Sequence, residues 1–161
     1  MDAGREERYA LCRLAAAAED GLEVSQLEIA REGPSYTLDT LRALKEQSPS
    51  DDLCFILGAD EATALASWHE PAEVLKLATL GVAEREGVGE AEVLAAVREV
   101  GDAERVSCFS MPRIDVSSTL VRERVAAGLP FRHLVPRAVA DFIEETGLYA
   151  QERAGAGRSP T

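Results

Sequence analysis

The chain has 161 residues, enough for one domain with a buried core, and 46% of them are apolar, which excludes general disorder. Its formal net charge is −12, so neither nucleic acid nor an anionic membrane surface is attracted to it. Cys12, Cys54 and Cys108 form no Cys-x-x-Cys pair and support neither a zinc centre nor a disulfide framework.

Taken in order, residues 5–18 predict a helix with Tyr9, Cys12 and an alanine run on its apolar stripe, stopped by Asp20-Gly21. Residues 22–30 alternate in hydrophobicity with one slip and predict a strand or extended segment with a bulge. Glu32-Gly33-Pro34-Ser35 is a turn. Residues 36–47 follow as a helix, with Leu38, Leu41 and Leu44 inward and Asp39 favourable in the first turn. Residues 53–57 are continuously apolar, the pattern of a strand in a parallel sheet covered on both faces. Helix is expected over 61–67, a break at Trp68-His69-Glu70-Pro71, and a short helix over 72–77. A weaker strand at 79–83, a loop at 87–89, a helix at 91–100 and a strand at 105–110 come next. After the Pro112 loop a helix opens at the hydroxyl-rich run Asp115-Val116-Ser117-Ser118-Thr119-Leu120-Val121-Arg122 and ends at Gly128-Leu129-Pro130. Residues 136–146 form a last amphipathic helix, with Val139, Phe142 and Ile143 inward and Gly147 as its cap. Cys54 and Cys108 read as small core residues in a reducing cytoplasm. No apolar run has membrane-spanning length and no signal peptide opens the chain.

Strand-helix alternation implies an α/β class with a mostly parallel, doubly wound sheet, in which ligands bind beyond the carboxyl ends of the strands. Residues 1–150 are expected to form the domain and 151–161 a mobile polar tail.

Four places near strand ends or helix starts carry candidate chemistry. On a helix, Ser118 and Arg122 are neighbours four apart, and Thr119 projects nearby. Two hydroxyls, a guanidinium and the free N–H groups of a helix N-terminus suit a polyphosphate. The alternative is a simple N-cap at Ser117 or Ser118 and a surface arginine. Gly58 and Asp60 close the buried strand and could face a ribose or an adenine; alternatively Gly58 makes a turn and Asp60 caps the next helix. Trp68, the single tryptophan, could stack on a pyridine ring or fill the core. Thr37 stands at a helix start that could take a carboxylate, or is plain turn chemistry. His69 and His133 have no partners at ligand spacing. There is no Gly-x-Ser-x-Gly, Walker loop or Gly-x-Gly-x-x-Gly, so hydrolase and dehydrogenase readings lack support.

Together these segments resemble the nicotinate-nucleotide adenylyltransferases. The pieces are Gly33-Pro34-Ser35-Tyr36-Thr37-Leu38-Asp39-Thr40-Leu41, Phe55-Ile56-Leu57-Gly58-Ala59-Asp60, Ser67-Trp68-His69-Glu70-Pro71, Val116-Ser117-Ser118-Thr119-Leu120-Val121-Arg122, and Leu134-Val135-Pro136 through Gly147-Leu148-Tyr149. The resemblance implies a Rossmann-like nucleotidyltransferase fold and adenylyl transfer from ATP to nicotinate mononucleotide in NAD biosynthesis. Ser118, Thr119 and Arg122 would hold the ATP phosphates, with Arg122 catalytic. Gly58 and Asp60 would line the nucleotide site. Trp68 would stack on the nicotinate ring, with Thr37 and the backbone of His69 near its carboxylate. Mg²⁺ would enter through substrate phosphates. No nucleic-acid or membrane partner is implied, and a homo-oligomer is allowed. A non-catalytic mononucleotide-binding protein and another nucleotidyltransferase, such as a pantetheine-phosphate one, are the alternatives. The family's Gly-Gly-Thr-Phe-Asp-Pro-x-His-x-Gly-His segment is absent, and the stretch 83–87 replaces its usual Arg-Pro-Gly turn. The expectation is therefore an N-terminally truncated member, impaired in turnover and exposing apolar sheet surface.

Overall fold

The computed structural model describes residues 3–84 and 87–150; the expected tail at 151–161 lies outside them. In chain order the elements are α1 (Arg5–Ala16), α2 (Thr37–Gln47), β1 (Leu53–Gly58), α3 (Ala59–Thr63), α4 (Pro71–Leu77), β2 (Ala78–Glu84), α5 (Glu90–Arg98), β3 (Val106–Ser110), α6 (Ser118–Ala126) and α7 (Arg137–Thr146). The described residues divide into two compact units, one made of residues 27–84 with 87–114 and the other of residues 3–26 with 115–150. Among the described residues no helix is long and apolar enough to cross a membrane.

The first of these units holds a three-stranded parallel sheet in the order β1-β2-β3. Leu53, Phe55 and Leu57 of β1, Ala78, Leu80 and Val82 of β2, and Val106 and Cys108 of β3 share one face, two residues apart along each strand. That face meets two clusters. Ala59, Ala62, Leu65, Leu75, Val93 and Val97 pack on it from α3, the 3-10 turn after it, α4 and α5. Leu38, Leu41 and Val74 pack on it from α2 and α4. The expected cover on both faces is therefore corrected. Ile56 is 68% exposed and Cys54 and Phe109 are exposed; the uniformly apolar run of β1 gives no sign of which face is inward. The strand at 79–83 is also stronger than its sequence suggests. It is the central strand, and its small Gly81 lies where an added Cβ would come 3.3 Å from the Cys54 sulfur.

Two further expectations change. Residues 22–30 form no strand: 22–26 are irregular and 27–30 are turns, with no partner strand beside them among the described residues. The helix expected over 61–67 starts earlier and is broken, as α3 followed by the 3-10 turn Leu65–Ser67.

Cys54 is exposed rather than core, whereas Cys108 is half-buried and its thiol is pushed up by burial, with Glu90 and Glu84 adding repulsion. Since the thiolate is the nucleophile, iodoacetamide should label Cys12 and Cys54 before Cys108. Mass spectrometry of a labelling time course checks the order.

In the second unit, Val121 of α6, Phe131, and Val139, Ala140 and Ile143 of α7 form the core, with Leu11, Leu14 and Ala15 of α1 packed against it. Phe142 is half-buried rather than fully inward. Gly147 ends α7 in the left-handed conformation (φ 67°), as expected of a C-cap glycine. Arg132 donates to Glu144 (2.6 Å) and to Asp141, tying the 3-10 turn Arg132–Leu134 to α7. That hydrogen bond from Arg132 holds the Asp141 carboxyl below its ordinary value. A depressed carboxylate stabilises above its unfolded pKa, and the contribution disappears as pH falls through the depressed value. Arg132→Ala should therefore lower Tm at neutral pH, and its gap from the parent should close as pH drops below the carboxylate range. Thermal melts across that range test it.

Candidate active site

In the sheet-bearing unit, β1 delivers the chain to Gly58, which is extended (φ −77°, ψ 156°) and opens α3. Asp60 does not cap this helix. It sits inside the first turn, exposed, and its backbone carbonyl accepts the Thr63 hydroxyl at 2.8 Å. α3 is short, and the 3-10 turn after it leads into Trp68, which is extended (φ −74°, ψ 162°). The Trp68 indole is half-buried. It meets the Phe55 ring edge-on, with centroids 5.9 Å apart and planes at 83°. The core fixes one side of the indole and leaves the rest accessible, so packing and ligand stacking are compatible readings.

His69 is exposed, and its ring lies 4.5 Å from that of Tyr36, tilted by 33°. This contact sets the Gly33–Thr37 turn beside the Trp68–Pro71 break, two segments far apart in sequence. Thr37 is the first residue of α2. Tyr36 before it is extended (φ −95°, ψ 138°) and supplies no side-chain cap. The opening N–H groups of an uncapped helix carry the positive end of its dipole.

The structure also links charged residues that the sequence analysis assigned to no site. Glu70 has a left-handed backbone (φ 47°, ψ 57°), which for a residue with a Cβ costs about 1–2 kcal/mol. Its carboxylate lies 3.2 Å from His69 Nε2 and 3.5 Å from Arg42 Nη2 of α2. Arg42 Nη1 is 3.9 Å from Asp39 Oδ1, and Asp39 Oδ2 is 3.9 Å from Arg31 Nη1. Arg31 also donates to the Thr40 hydroxyl at 3.5 Å, which in turn donates to Glu28 at 2.8 Å. One turn into α4, Lys76 holds Glu73 below its ordinary value through a hydrogen bond, and Arg42 adds a smaller pull the same way. The only sequence signal for this network is Glu70 directly before Pro71, since a residue before proline is steered away from the right-handed helix.

In the helical unit, Ser117 is the N-cap of α6, and its Oγ accepts the Leu120 N–H at 3.1 Å. That leaves Ser118 and Thr119 as the first two helical residues, both exposed. Arg122 Nη2 donates to Thr119 Oγ1 at 3.1 Å, so the guanidinium is oriented by the hydroxyl three residues back. Val121, on another side of the same helix, is buried and anchors it. Of the two residues the N-cap reading allowed, Ser117 is the cap, and Arg122 meets Thr119 at the start of the same helix. Among the described residues no group of three or more His, Cys, Asp or Glu side chains is placed to hold a metal ion.

The cytidylyltransferase-like family model matches residues 3–124. A probable nicotinate-nucleotide adenylyltransferase of Roseiflexus sp. (strain RS-1) is 44% identical over 146 residues, covering 89% of this chain and 72% of the relative. One from Dehalococcoides mccartyi (strain CBDB1) is 39% identical over 153 residues, covering 91% and 73%. This chain belongs to the cytidylyltransferase-like family, in its nicotinate-nucleotide adenylyltransferase branch. The solved nicotinic acid mononucleotide adenylyltransferase of Plasmodium falciparum, complexed with NaAD, superposes with a TM-score of 0.69 at 17% identity, covering 92% of this chain and 76% of that one. At that identity the likeness carries the fold: a Rossmann-like α/β nucleotidyltransferase fold, as the family membership requires.

Proposed function

We propose that this family member transfers the adenylyl group of ATP to nicotinate mononucleotide, giving nicotinate adenine dinucleotide and pyrophosphate, as a cytoplasmic step of NAD biosynthesis. What supports the acceptor most is the contact of Tyr36 with His69, which sets an uncapped helix start beside a half-accessible indole. A flat pyridine ring suits Trp68. Its carboxylate suits the Thr37 hydroxyl and the peptide N–H groups at Thr37 and His69.

In the reaction a phosphate oxygen of the mononucleotide bonds to the α-phosphorus of ATP. The bond from that phosphorus to the bridging oxygen breaks, and pyrophosphate leaves with the electron pair. No covalent enzyme intermediate is needed, so the protein's work is to position reactants and stabilise charge. Arg122 holds triphosphate oxygens as a two-pronged donor, with Ser118, Thr119 and the N-terminal amides of α6 beside it. Gly58 and Asp60 line the nucleoside side, Asp60 as a hydrogen-bond acceptor. Mg²⁺ would arrive hydrated on the triphosphate, and the Arg122 guanidinium would pair with phosphate oxygens and not with the metal. Bound so, it would neutralise charge on the departing pyrophosphate.

The test offers the purified chain ATP and Mg²⁺ with one acceptor at a time: nicotinate mononucleotide, nicotinamide mononucleotide or phosphopantetheine. Mass spectrometry should find nicotinate adenine dinucleotide as the main product. Adenylylated phosphopantetheine instead would move the chain to another branch. Mononucleotide binding without any product would favour a non-catalytic binding protein.

A further inference from the structure

The Arg31–Asp39–Arg42–Glu70 array links the side of α2 to the break that carries Trp68 and His69. Two features set it apart from ordinary surface pairing. The first is that its terminal member is the strained residue of the region: Glu70 is left-handed without being glycine, and such outliers persist only where surroundings hold them. Its carbonyl receives the Glu73 and Val74 N–H groups at 3.0 and 3.3 Å, so the same residue also starts α4. The second feature is the placement of charge. Glu70 follows His69 in sequence, and its carboxylate lies 3.2 Å from His69 Nε2, inside the segment assigned to an anionic substrate group. Left alone, that carboxylate would repel a nicotinate carboxylate. Arg42 faces it and is shared with Asp39; Arg31 faces Asp39 in turn; Glu73 and Lys76 lie one turn into α4 and pair with each other.

We infer that Arg42 is a positioning and specificity residue: by pairing with Glu70 it cancels the negative charge at the Trp68–Glu70 break and lets the acid mononucleotide be accepted there. This rests on the acceptor assigned above. Arg42 touches no substrate in this account; it acts through Glu70. The prediction that separates it from a purely structural role concerns charge. Removing the guanidinium penalises the acid mononucleotide but not its amide, which is the same size and carries no carboxylate. Removing the Glu70 charge as well relieves that penalty.

The experiment uses the single tryptophan. Trp68 emission is titrated with nicotinate mononucleotide and, separately, with nicotinamide mononucleotide, at low salt, for the parent chain, Arg42→Ala, Arg42→Lys and the double variant Arg42→Ala with Glu70→Gln. Circular dichroism confirms that each is folded. Arg42→Ala should raise the Kd for the acid about threefold to fivefold, the range of a half-exposed ion pair, and leave that for the amide unchanged. Arg42→Lys should recover most of the acid affinity, and the double variant should recover it as well. Equal loss for acid and amide, or no loss for either, overturns the inference while leaving the acceptor in place. A parent chain whose Trp68 emission ignores both mononucleotides overturns the acceptor assignment, and the inference with it.

Discussion

Arg122→Ala should lower kcat/KM for ATP by about 100-fold to 1,000-fold, measured as pyrophosphate release at saturating nicotinate mononucleotide. That is the usual loss when one charge-stabilising donor is removed from a transition state, about 3–4 kcal/mol. The reasoning begins at the helix. Ser117 closes the start of α6 by accepting from Leu120, and Val121 buries the opposite flank, so the backbone that carries Arg122 is held independently of the guanidinium. The variant should therefore keep its fold, with a Tm within a few degrees of the parent. Thr119 accepts from Arg122 at 3.1 Å and orients the fork before any ligand arrives. Arg122→Lys keeps the charge but loses the parallel pair of donors, so it should recover only part of the rate. An Arg122→Ala chain that turns over at the parental rate would remove this helix mouth from the reaction.

How much of this was readable beforehand depends on whether local pattern or tertiary company decides each element. α2, α6 and α7 are marked by apolar spacing and flanking punctuation, and they form within a residue or two of expectation. An N-cap at Ser117 or Ser118 is legible in sequence because capping is a local event, and it falls to Ser117. Residues 22–30 fail for the opposite reason: alternation describes a strand only if another strand lies alongside, and none does among the described residues. The run at 53–57 specifies a strand but not its inward face, since Cys54 and Ile56 are as apolar as Phe55 and Leu57. Gly81 makes β2 look weak although Leu80 and Val82 on either side are fully buried. The Arg42–Glu70 pair joins residues distant in sequence through exposed side chains, and neither type of residue advertises a partner. The left-handed turn at Glu70 is marked only by the proline after it, which disfavours the right-handed helix without choosing the left-handed one.

Leu38→Ala should destabilise the chain by about 2–5 kcal/mol, lowering Tm by roughly 10 °C or more. Leu38 is fully buried, together with Leu41, Val74 and Ala78, and Leu53, Phe55 and Leu77 close the cluster. Few residues can relax into the space, because the neighbours come from β1, β2 and two helices that the sheet already fixes. The same side chain is next to Thr37 in the first turn of α2, and Val74 across from it belongs to the helix that starts at Pro71 just after the strained glutamate. The cluster is thus the apolar foundation on which the helix start and the indole break are registered against each other. Leu38→Met, which nearly conserves volume, should cost less than about 1.5 kcal/mol. Urea unfolding followed by Trp68 emission and by circular dichroism reads both changes, since the indole packs within the same unit. A loss below about 1 kcal/mol for the alanine variant would mean that the region collapses around the gap. In that case α2 would be held by its charged flank and not by this core.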